Sequence, residues 1–535
     1  MLHHAGQKIF ICLTLAASFF SFNCQNSKTK QAEGLNRLLR LQDTTTFKNM
    51  LGVNAFEWNF LQNPDDPNNA LDIYEPKMKL IQSFGGVRHY LDWGRIEDKP
   101  GKFTFNPAHS GGWNMDAIYQ RCKTDGIDML VCLKTCPNWL QDTYPANQRD
   151  AENVPIPYGA NKARPASYIL QARAAFQFAA RYGSNSRIDK SLLKIDSTQR
   201  WTADQINQPL TGLNTVKYIE CDNERDKWWK GDKAHQTAEE YAANLSAFYD
   251  GHKGTLGKDV GVKTADPNMK VVMAGLAKTD VSYVKSMIEW CRKNRGYKAD
   301  GSINLCFDVI NFHLYANDHL EHHDQATQGV APEQSEAAGV AAQFAVLGNQ
   351  YYLPVWVTEA GYDINPSSPQ RAVAVDHKPI MQTQADWTVR TALLYARNGI
   401  QKLFFYMMVD DNLANPVQYA SSGLVTEDLK RRPAANFIAQ AKDLLGKFSY
   451  RKTINKAPFV DLYMQGKRAM YVLVQPTQNG SVSNYTLLLP GIKRLVIHRL
   501  DYNTDKPSSD TVKVQNGKLS VQVTETPLIV EPLSY

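Results

Sequence analysis

Between Leu51 and Phe448 the chain alternates short apolar runs with longer amphipathic segments, and the alternation repeats eight times. The apolar runs are LGVNAF, GVRHY, DMLVCLK, VKYIEC, KVVMAG, DVINFH, PVWVTE and KLFFYM. They are rich in Val, Ile and aromatic residues and lack the polar alternation of a half-exposed strand. This composition is typical of parallel strands that are buried on both faces.

Each apolar run is followed by a segment with apolar residues at three-and-four spacing, which is the pattern of an amphipathic helix. Several of these segments end in Gly, a common helix stop. Eight strands alternating with eight helices predict a (β/α)8 barrel, which we place at residues 49–446. A doubly wound open sheet is the alternative. It would need a Gly-rich phosphate-binding turn after its first strand, and the sequence has none there.

After Tyr450 the pattern changes to short strand-like runs separated by turn residues. The runs are PFVDLYM, RAMYVLV, YTLLL, RLVIHRL, DTVKV, KLSVQV and LIVEPL. Asn516-Gly517 stands between two alternating runs and predicts a two-residue β-hairpin there. We therefore expect a C-terminal β-sandwich over residues 447–535.

The N-terminus has the pattern of an export signal. Lys8 precedes an apolar run from Ile9 to Phe22, so residues 1–23 are predicted to be a signal peptide and 24–48 a polar tether. Cys24 directly after the run resembles a bacterial lipobox, although Phe22 and Asn23 differ from the small residues usual there. Export to the periplasm or the outer surface is expected. Whether Cys24 then carries a lipid stays open. A membrane partner is expected only through that lipid.

Composition excludes several other classes of protein. The charged residues, 60 Lys and Arg against 53 Asp and Glu, are interleaved along the chain, which excludes a phosphate-reading stripe and predicts no nucleic-acid partner. The cysteines lack the paired CxxC spacing of a structural zinc site, and a bridge between Cys291 and Cys306 stays open. Four potential ligands crowd the segment after the sixth strand, where a solvated loop is favoured over a metal site: His319, His322, His323 and Asp324. We predict no metal and no cofactor.

Acidic residues stand where two predicted strands end. The fourth strand runs into Cys221-Asp222-Asn223-Glu224, and the seventh ends in Thr358-Glu359. Chemistry in such barrels is carried out at the C-terminal ends of the strands. Glu224 and Glu359 are therefore predicted to face each other across one mouth. Glu220 is a rival, but it lies inside the strand, where two-residue alternation favours a packing role or a contact that supports the site residues.

At these residues the chain resembles the glycoside hydrolases of clan A, which are retaining (β/α)8 enzymes, and within the clan it is most similar to family 39 and its neighbours. Asn223-Glu224 and Thr358-Glu359 match the pattern of the clan, and so do Arg88, the segment Cys136-Pro137-Asn138-Trp139 and His313-x-Tyr315. The resemblance covers about residues 50–440. It implies that Glu224 is the general acid/base and Glu359 the nucleophile.

The resemblance also implies roles for the surrounding residues. Arg88 would keep Glu359 ionised, Tyr315 would donate a hydrogen bond to it, and Asn223 would bind the sugar 2-hydroxyl. The clan often has Trp at the end of the eighth strand, where this chain has Tyr406. The full set of expected substrate-binding residues is Asn223, Arg88, His313, Tyr315, Trp139, Trp228 and Tyr406.

The predicted activity is hydrolysis of glycosidic bonds in poly- or oligosaccharides by double displacement, with a carbohydrate as the substrate. Two alternatives stay open: a non-catalytic, glycan-binding surface lipoprotein, and a transglycosylase that uses the same residues. The sequence predicts neither the sugar and its linkage nor the oligomeric state.

Overall fold

The computed structural model describes residues 45–66, 69–202, 205–322 and 325–533. Eight parallel strands form one sheet in the order β5-β4-β3-β2-β1-β8-β7-β6, and a parallel bridge between Val272 and Val309 joins its two edges. The predicted (β/α)8 barrel is confirmed. The strands are β1 (Leu51–Ala55), β2 (Gly86–Asp92), β3 (Asp128–Lys134), β4 (Tyr218–Cys221), β5 (Lys270–Val272), β6 (Ile310–His313), β7 (Val355–Ala360) and β8 (Lys402–Phe405).

One long helix follows each strand, because the apolar stripe of each amphipathic segment packs against the sheet. None of the helices in the described residues combines the length and apolar character needed to cross a bilayer. The barrel helices are α1 (Glu75–Ile81), α2 (Met115–Thr124), α3 (Ile169–Tyr182), α4 (Ala238–Asp250), α5 (Val281–Asn294), α6 (Ala337–Tyr351), α7 (Ile380–Arg397) and α8 (Pro433–Leu445).

Shorter helical turns occur between these elements. The four-residue helices are Phe47–Met50, Trp93–Ile96, Asn138–Gln141 and Val262–Ala265. The 3₁₀ turns are Glu57–Asn59, Ala146–Gln148, Pro165–Tyr168, Lys190–Leu192, Trp228–Lys230 and Pro332–Gln334.

The interior of the barrel is apolar at the bottom and polar above. Every second residue of a strand faces the axis, so the interior side chains form layers. The floor is a buried apolar cluster of Leu130, Val272, Val309, Trp356 and Phe404. The layer above the floor is polar and fully buried, with one side chain each from β1, β2, β4, β6 and β7: Asn54, Arg88, Glu220, Asn311 and Thr358. Because buried charges are costly unless they are paired, this layer marks where function would be expected.

The C-terminal part is a β-sandwich, as predicted. A six-stranded antiparallel sheet in the order β14-β13-β16-β11-β10-β9 faces the pair β12-β15. Apolar residues of both sheets, among them Val460, Leu473, Leu487 and Leu519, share one buried core. The strands are β9 (Ser449–Lys456), β10 (Phe459–Gln465), β11 (Arg468–Val474), β12 (Ser483–Leu488), β13 (Arg494–Arg499), β14 (Ser508–Lys513), β15 (Lys518–Val523) and β16 (Leu528–Leu533).

The two-residue hairpin turn predicted at Asn516-Gly517 is present, because Gln515 and Lys518 on either side of it form an antiparallel bridge, but β14 and β15 do not go on to pair with each other. Both residues have positive φ (52° and 67°), so the tight turn itself is present. However, β14 pairs with β13 and β15 pairs with β12, so the turn carries the chain from one sheet to the other. The strands on either side of the turn bury their apolar side chains by joining different sheets. The burial gained in this way outweighs the tendency of the turn to pair its two flanking strands.

The outer face of the sandwich packs against the barrel. Tyr463 of β10 is fully buried and lies edge-on to Phe47, with ring centroids 5.9 Å apart. Asp461 of the same strand accepts a hydrogen bond of 2.8 Å from Arg397 at the end of α7. Met470 and Val472 of β11 join the hydrophobic core of the barrel. The sandwich therefore serves as a packing partner of the barrel.

Several predictions fall on parts of the chain that lie outside the described residues. These are the signal peptide at 1–23, Cys24 and nearly all of the tether at 24–48, together with His323 and Asp324. The Sγ atoms of Cys291 and Cys306 lie 3.4 Å apart, and both cysteines are free thiols.

Candidate active site

Glu359 reaches the mouth of the barrel through an irregularity in β7. Phe312 of β6 pairs with Val357, but the next residue, His313, pairs with Glu359, so Thr358 is an extra residue in the ladder. The Thr358 hydroxyl accepts a hydrogen bond from Asn311 inside the barrel. Strict alternation would then turn Glu359 outward to the helices. The bulge re-aims its side chain toward the barrel axis instead.

The Glu359 carboxylate is buried and surrounded by donors. Arg88 Nη1 lies 2.9 Å from Oε1, Tyr315 donates to Oε2 at 2.8 Å, and the Tyr90 hydroxyl also donates to Oε1. Burial alone would raise the pKa of Glu359, but the charges of His313 and Arg88 and the two phenol hydrogen bonds lower it below its ordinary value. The site therefore holds Glu359 as an anion.

Glu224 lies just beyond β4 on a constrained turn. Asp222 and Glu224 both have positive φ, at 73° and 49°, a region that few residues with side chains occupy. Asp222 Oδ1 accepts from the backbone N–H of Asn223, and the backbone N–H of Glu224 donates to Ala274 beyond β5. The turn is thereby fixed by contacts to its neighbours, which is the usual way such conformations are maintained at functional sites.

His313 connects the two acids. Its Nδ1 atom lies 2.7 Å from Glu224 Oε1 and 3.4 Å from Glu359 Oε1. Burial would lower the pKa of His313, but the charge of Glu359 and the hydrogen bond to Glu224 raise it overall. Gly275 makes room for the ring, since a Cβ there would stand 2.1 Å from His313 Nε2.

The two carboxylates are close together. One carboxylate oxygen of Glu224, one of Glu359 and a ring nitrogen of His313 all lie within 4.8 Å of one another. An imidazole and two carboxylates are also suitable ligands for a transition metal. A cation at this position would compete with the guanidinium of Arg88 for Glu359.

Arg88 is the centre of the buried polar layer below the two acids. Its Nε donates to Glu220 Oε2 at 2.6 Å, and its Nη2 donates to Asn223 Oδ1 at 2.7 Å. Asn54 accepts a further bond from Nη1 at 3.1 Å. Glu220 faces the interior of the barrel, where burial raises its pKa despite Arg88. The packing role that alternation predicted for Glu220 thus takes the form of a hydrogen bond that orients Arg88.

Aromatic side chains form one wall of the mouth. Tyr406 follows β8, and its ring lies 6.2 Å from that of Tyr90 and 6.3 Å from that of Tyr419. Burial, with the negative charge of Glu359 as the next contribution, raises the pKa of Tyr406. Tyr419 in turn packs on Tyr315, with ring centroids 4.4 Å apart. Four phenols therefore surround the two acids.

The two tryptophans predicted to bind substrate have contacts of their own. Trp139 is partly buried, donates from its indole N–H to the backbone oxygen of Glu97, and lies edge-on to Trp93. Trp228 and Trp229 form an edge-to-face pair on the turn after Glu224, with 57% and 51% of their surfaces exposed. Trp139 thus has contacts typical of a packing residue, whereas Trp228 remains available to a ligand on the rim.

Sequence reasoning missed three of the side chains that build the site. Tyr90 could have been found, because it lies two residues after Arg88 and therefore on the same inward face of β2. Asn54 could have been found in the same way, since it lies two residues after Gly52 on the inward face of β1. Tyr419 had no such signal, since it belongs to the long irregular loop between β8 and α8.

No known protein-family model matches the chain, and no curated protein sequence matches it either. Solved structures do share its fold. A family 39 glycoside hydrolase from the gut symbiont Bacteroides cellulosilyticus WH2 superposes with a TM-score of 0.60 at 16% identity, over 92% of this chain and 82% of that one. At this identity the likeness shows the fold alone. The predicted resemblance of fold to family 39 is confirmed.

Two further structures bring in other glycoside hydrolase families. A family 44 xyloglucanase from Paenibacillus polymyxa gives a TM-score of 0.51 at 12% identity, over 92% of this chain and 97% of that one. A family 30 endoxylanase from Clostridium papyrosolvens C71 gives 0.50 at 11%, over 92% and 97%. The fold of this chain is therefore one that several families of glycoside hydrolases share.

Proposed function

We propose that this protein is a glycoside hydrolase that retains the anomeric configuration, with Glu359 as the nucleophile and Glu224 as the general acid/base. The observation that carries the proposal is the approach of their carboxylate oxygens to within 4.8 Å. Double displacement uses two carboxyl groups about 5–5.5 Å apart, whereas inverting enzymes keep them about 6.5–9.5 Å apart to admit a water molecule. The spacing in this barrel favours retention.

The first step forms a glycosyl-enzyme. Glu359 attacks the anomeric carbon with an electron pair of its carboxylate, and the bond to the leaving oxygen breaks. Glu224 delivers a proton to that oxygen, so the leaving sugar departs as an alcohol. In the second step Glu224 takes a proton from water, and the resulting hydroxide equivalent displaces Glu359 from the anomeric carbon.

The charges around the site suit this division of roles. The lowered pKa of Glu359 keeps the nucleophile ionised at neutral pH. Double displacement requires Glu224 to donate a proton in the first step and to accept one in the second. The charge of Glu359 beside it is neutralised between these steps, when the glycosyl-enzyme forms.

Asn223 is positioned to bind the sugar next to the reacting bond. Arg88 Nη2 holds its amide oxygen at 2.7 Å, and no described residue accepts from its amide N–H groups. These groups can donate to the 2-hydroxyl, where hydrogen bonds strengthen at the transition state.

The substrate class is a glycan with β-linked, or stereochemically equivalent, bonds in plant or microbial polysaccharides. The test is hydrolysis of a panel of 4-nitrophenyl glycosides that includes β-D-xyloside and β-D-glucoside. Proton NMR would identify the anomer that forms first. We expect the anomer of the substrate; first release of the opposite anomer would contradict the proposal. A protein that only binds glycans would release no nitrophenol from any member of the panel.

We also propose that the protein is exported, on the basis of the charged start and apolar run before Cys24. Radiolabelled palmitate and mass spectrometry of the membrane fraction would test for a lipid. A Cys24→Ala variant that stays in the membrane fraction would show that Cys24 is not the anchor.

A further inference from the structure

Tyr419 is held in a conformation that its side chain disfavours. Its φ is +73°, in the left-handed region that a bulky residue rarely adopts. The loop after β7 holds it there. The fully buried Asp363 accepts from the backbone N–H of Tyr419 at 2.9 Å, and Ile364 donates from its own N–H to Ser421 at 3.1 Å. Backbone strain that is stabilised by such contacts is typical of functional sites.

These contacts place the ring beside Tyr315 and Tyr406, two of the phenols at the proposed active site. The ring packs on Tyr315, whose hydroxyl donates to Glu359. Burial raises the pKa of Tyr419, and the next two contributions are the negative charges of Glu224 and Glu359. The ring of Tyr419 therefore lies beside a side chain that is hydrogen-bonded to the proposed nucleophile.

The hydroxyl of Tyr419 differs from those of its neighbours. Tyr90 and Tyr315 both donate a hydrogen bond from their hydroxyl groups to Glu359. No described residue is hydrogen-bonded to the hydroxyl of Tyr419. Unlike the hydroxyl of Tyr395, which is fully buried without a partner, the hydroxyl of Tyr419 is accessible to solvent. It is therefore a free donor and acceptor that water or a ligand can reach.

We propose that Tyr419 is a substrate-binding residue, whose hydroxyl forms a hydrogen bond with the sugar ring held between Glu224 and Glu359. The inference rests on the proposed function. Its ring packs on Tyr315 and lies 6.3 Å from Tyr406, and an aromatic face with a polar edge is suited to a sugar, which presents C–H groups and hydroxyls together. The strained backbone at φ +73° is what orients this side chain toward the ligand.

The test is Tyr419→Phe, which removes only the hydroxyl. With the best substrate of the 4-nitrophenyl panel we expect kcat/KM to fall about tenfold, as for the loss of one hydrogen bond to a substrate. The matched control is Tyr352→Phe. Tyr352 also has a left-handed backbone, with φ 57°, but it directly follows α6, at the opposite end of the barrel. The control should keep wild-type kinetics, and Tyr419→Phe should keep the wild-type unfolding midpoint.

Substrates that lack single hydroxyls would identify the bonded position. For one deoxy substrate the wild type and Tyr419→Phe should have equal kcat/KM, because the hydrogen bond is absent from both. The inference is overturned if Tyr419→Phe stays within twofold of wild type on every glycoside that the wild type cleaves, or if the control loses as much. A wild type that cleaves no glycoside would instead refute the proposed function itself, and this inference with it.

Discussion

His313 and Glu224 are hydrogen-bonded, with Nδ1 of the imidazole 2.7 Å from Oε1 of the carboxylate. The two side chains come from β6 and from the turn after β4, far apart in the sequence. The imidazole also lies 3.4 Å from Glu359, so one ring contacts both proposed catalytic acids. The charge of His313 is the largest of the influences that lower the pKa of Glu359.

Removing the charge of His313 should move the acidic side of the pH profile. Glu359 must be ionised to attack, so activity is lost as the pH falls through its lowered pKa. In His313→Asn that pKa should rise toward the ordinary value, and the acidic limb of kcat/KM should shift to higher pH. The control is His319→Asn, on the loop after β6. An unchanged acidic limb in His313→Asn would show that the imidazole carries no charge near Glu359.

Replacing the nucleophile should abolish turnover. Glu359→Gln keeps the shape of the side chain but removes the charge that forms the glycosyl-enzyme, so we expect a loss of about 10⁴-fold or more in kcat. The control is Glu427→Gln, an exposed acid on the loop before α8. Steady-state release of nitrophenol is the measurement. Near-wild-type activity in Glu359→Gln would refute the assignment.

Replacing the acid/base should lower the rate of hydrolysis by an amount that depends on the leaving group of the substrate. Glu224→Ala should cleave 2,4-dinitrophenyl glycosides far better than substrates with sugar leaving groups, because a dinitrophenolate departs without a proton. Azide should restore turnover of the glycosyl-enzyme and give a glycosyl azide with the configuration of the substrate. An azide product of opposite configuration would assign Glu224 as the nucleophile instead.

Glu97 should make the stability of the fold depend on pH. Burial raises its pKa to about 7 despite hydrogen bonds from Gly101 and Trp93. The unfolded chain releases this proton near pH 4.5 and the folded chain near 7, so the unfolding free energy falls as pH rises across that window, by roughly 3 kcal/mol in total.

Urea unfolding at several pH values tests this effect. Glu97→Gln loses one acceptor at every pH, but its stability relative to wild type should improve steadily from pH 4.5 to 7. The matched control Glu427→Gln should show a constant difference from wild type. A constant difference for Glu97→Gln as well would mean that Glu97 stays ionised when buried.

The barrel could be predicted because its pattern is local. A buried parallel strand needs a short apolar run and a covering helix needs an apolar stripe, so the bounds of β3, β11 and α5 follow from the residues within them. The strand ends also placed Glu224 and Glu359 at the same mouth. The turn at Asn516-Gly517 could be predicted for the same reason, but the pairing of β14 and β15 with different strands could not, because the choice of partner strand depends on the packing of two sheets.

The sequence by itself determined the eightfold repeat, the trailing strands and the pair of acids at the strand ends, since each is written in neighbouring residues. Only the tertiary structure decided how the site is assembled. The bulge at Thr358 that turns Glu359 inward depends on pairing with β6, and the position of Tyr419 depends on Asp363 in another loop. Such features are set by contacts between segments distant in the chain, and the energies of these contacts exist only once the chain has folded.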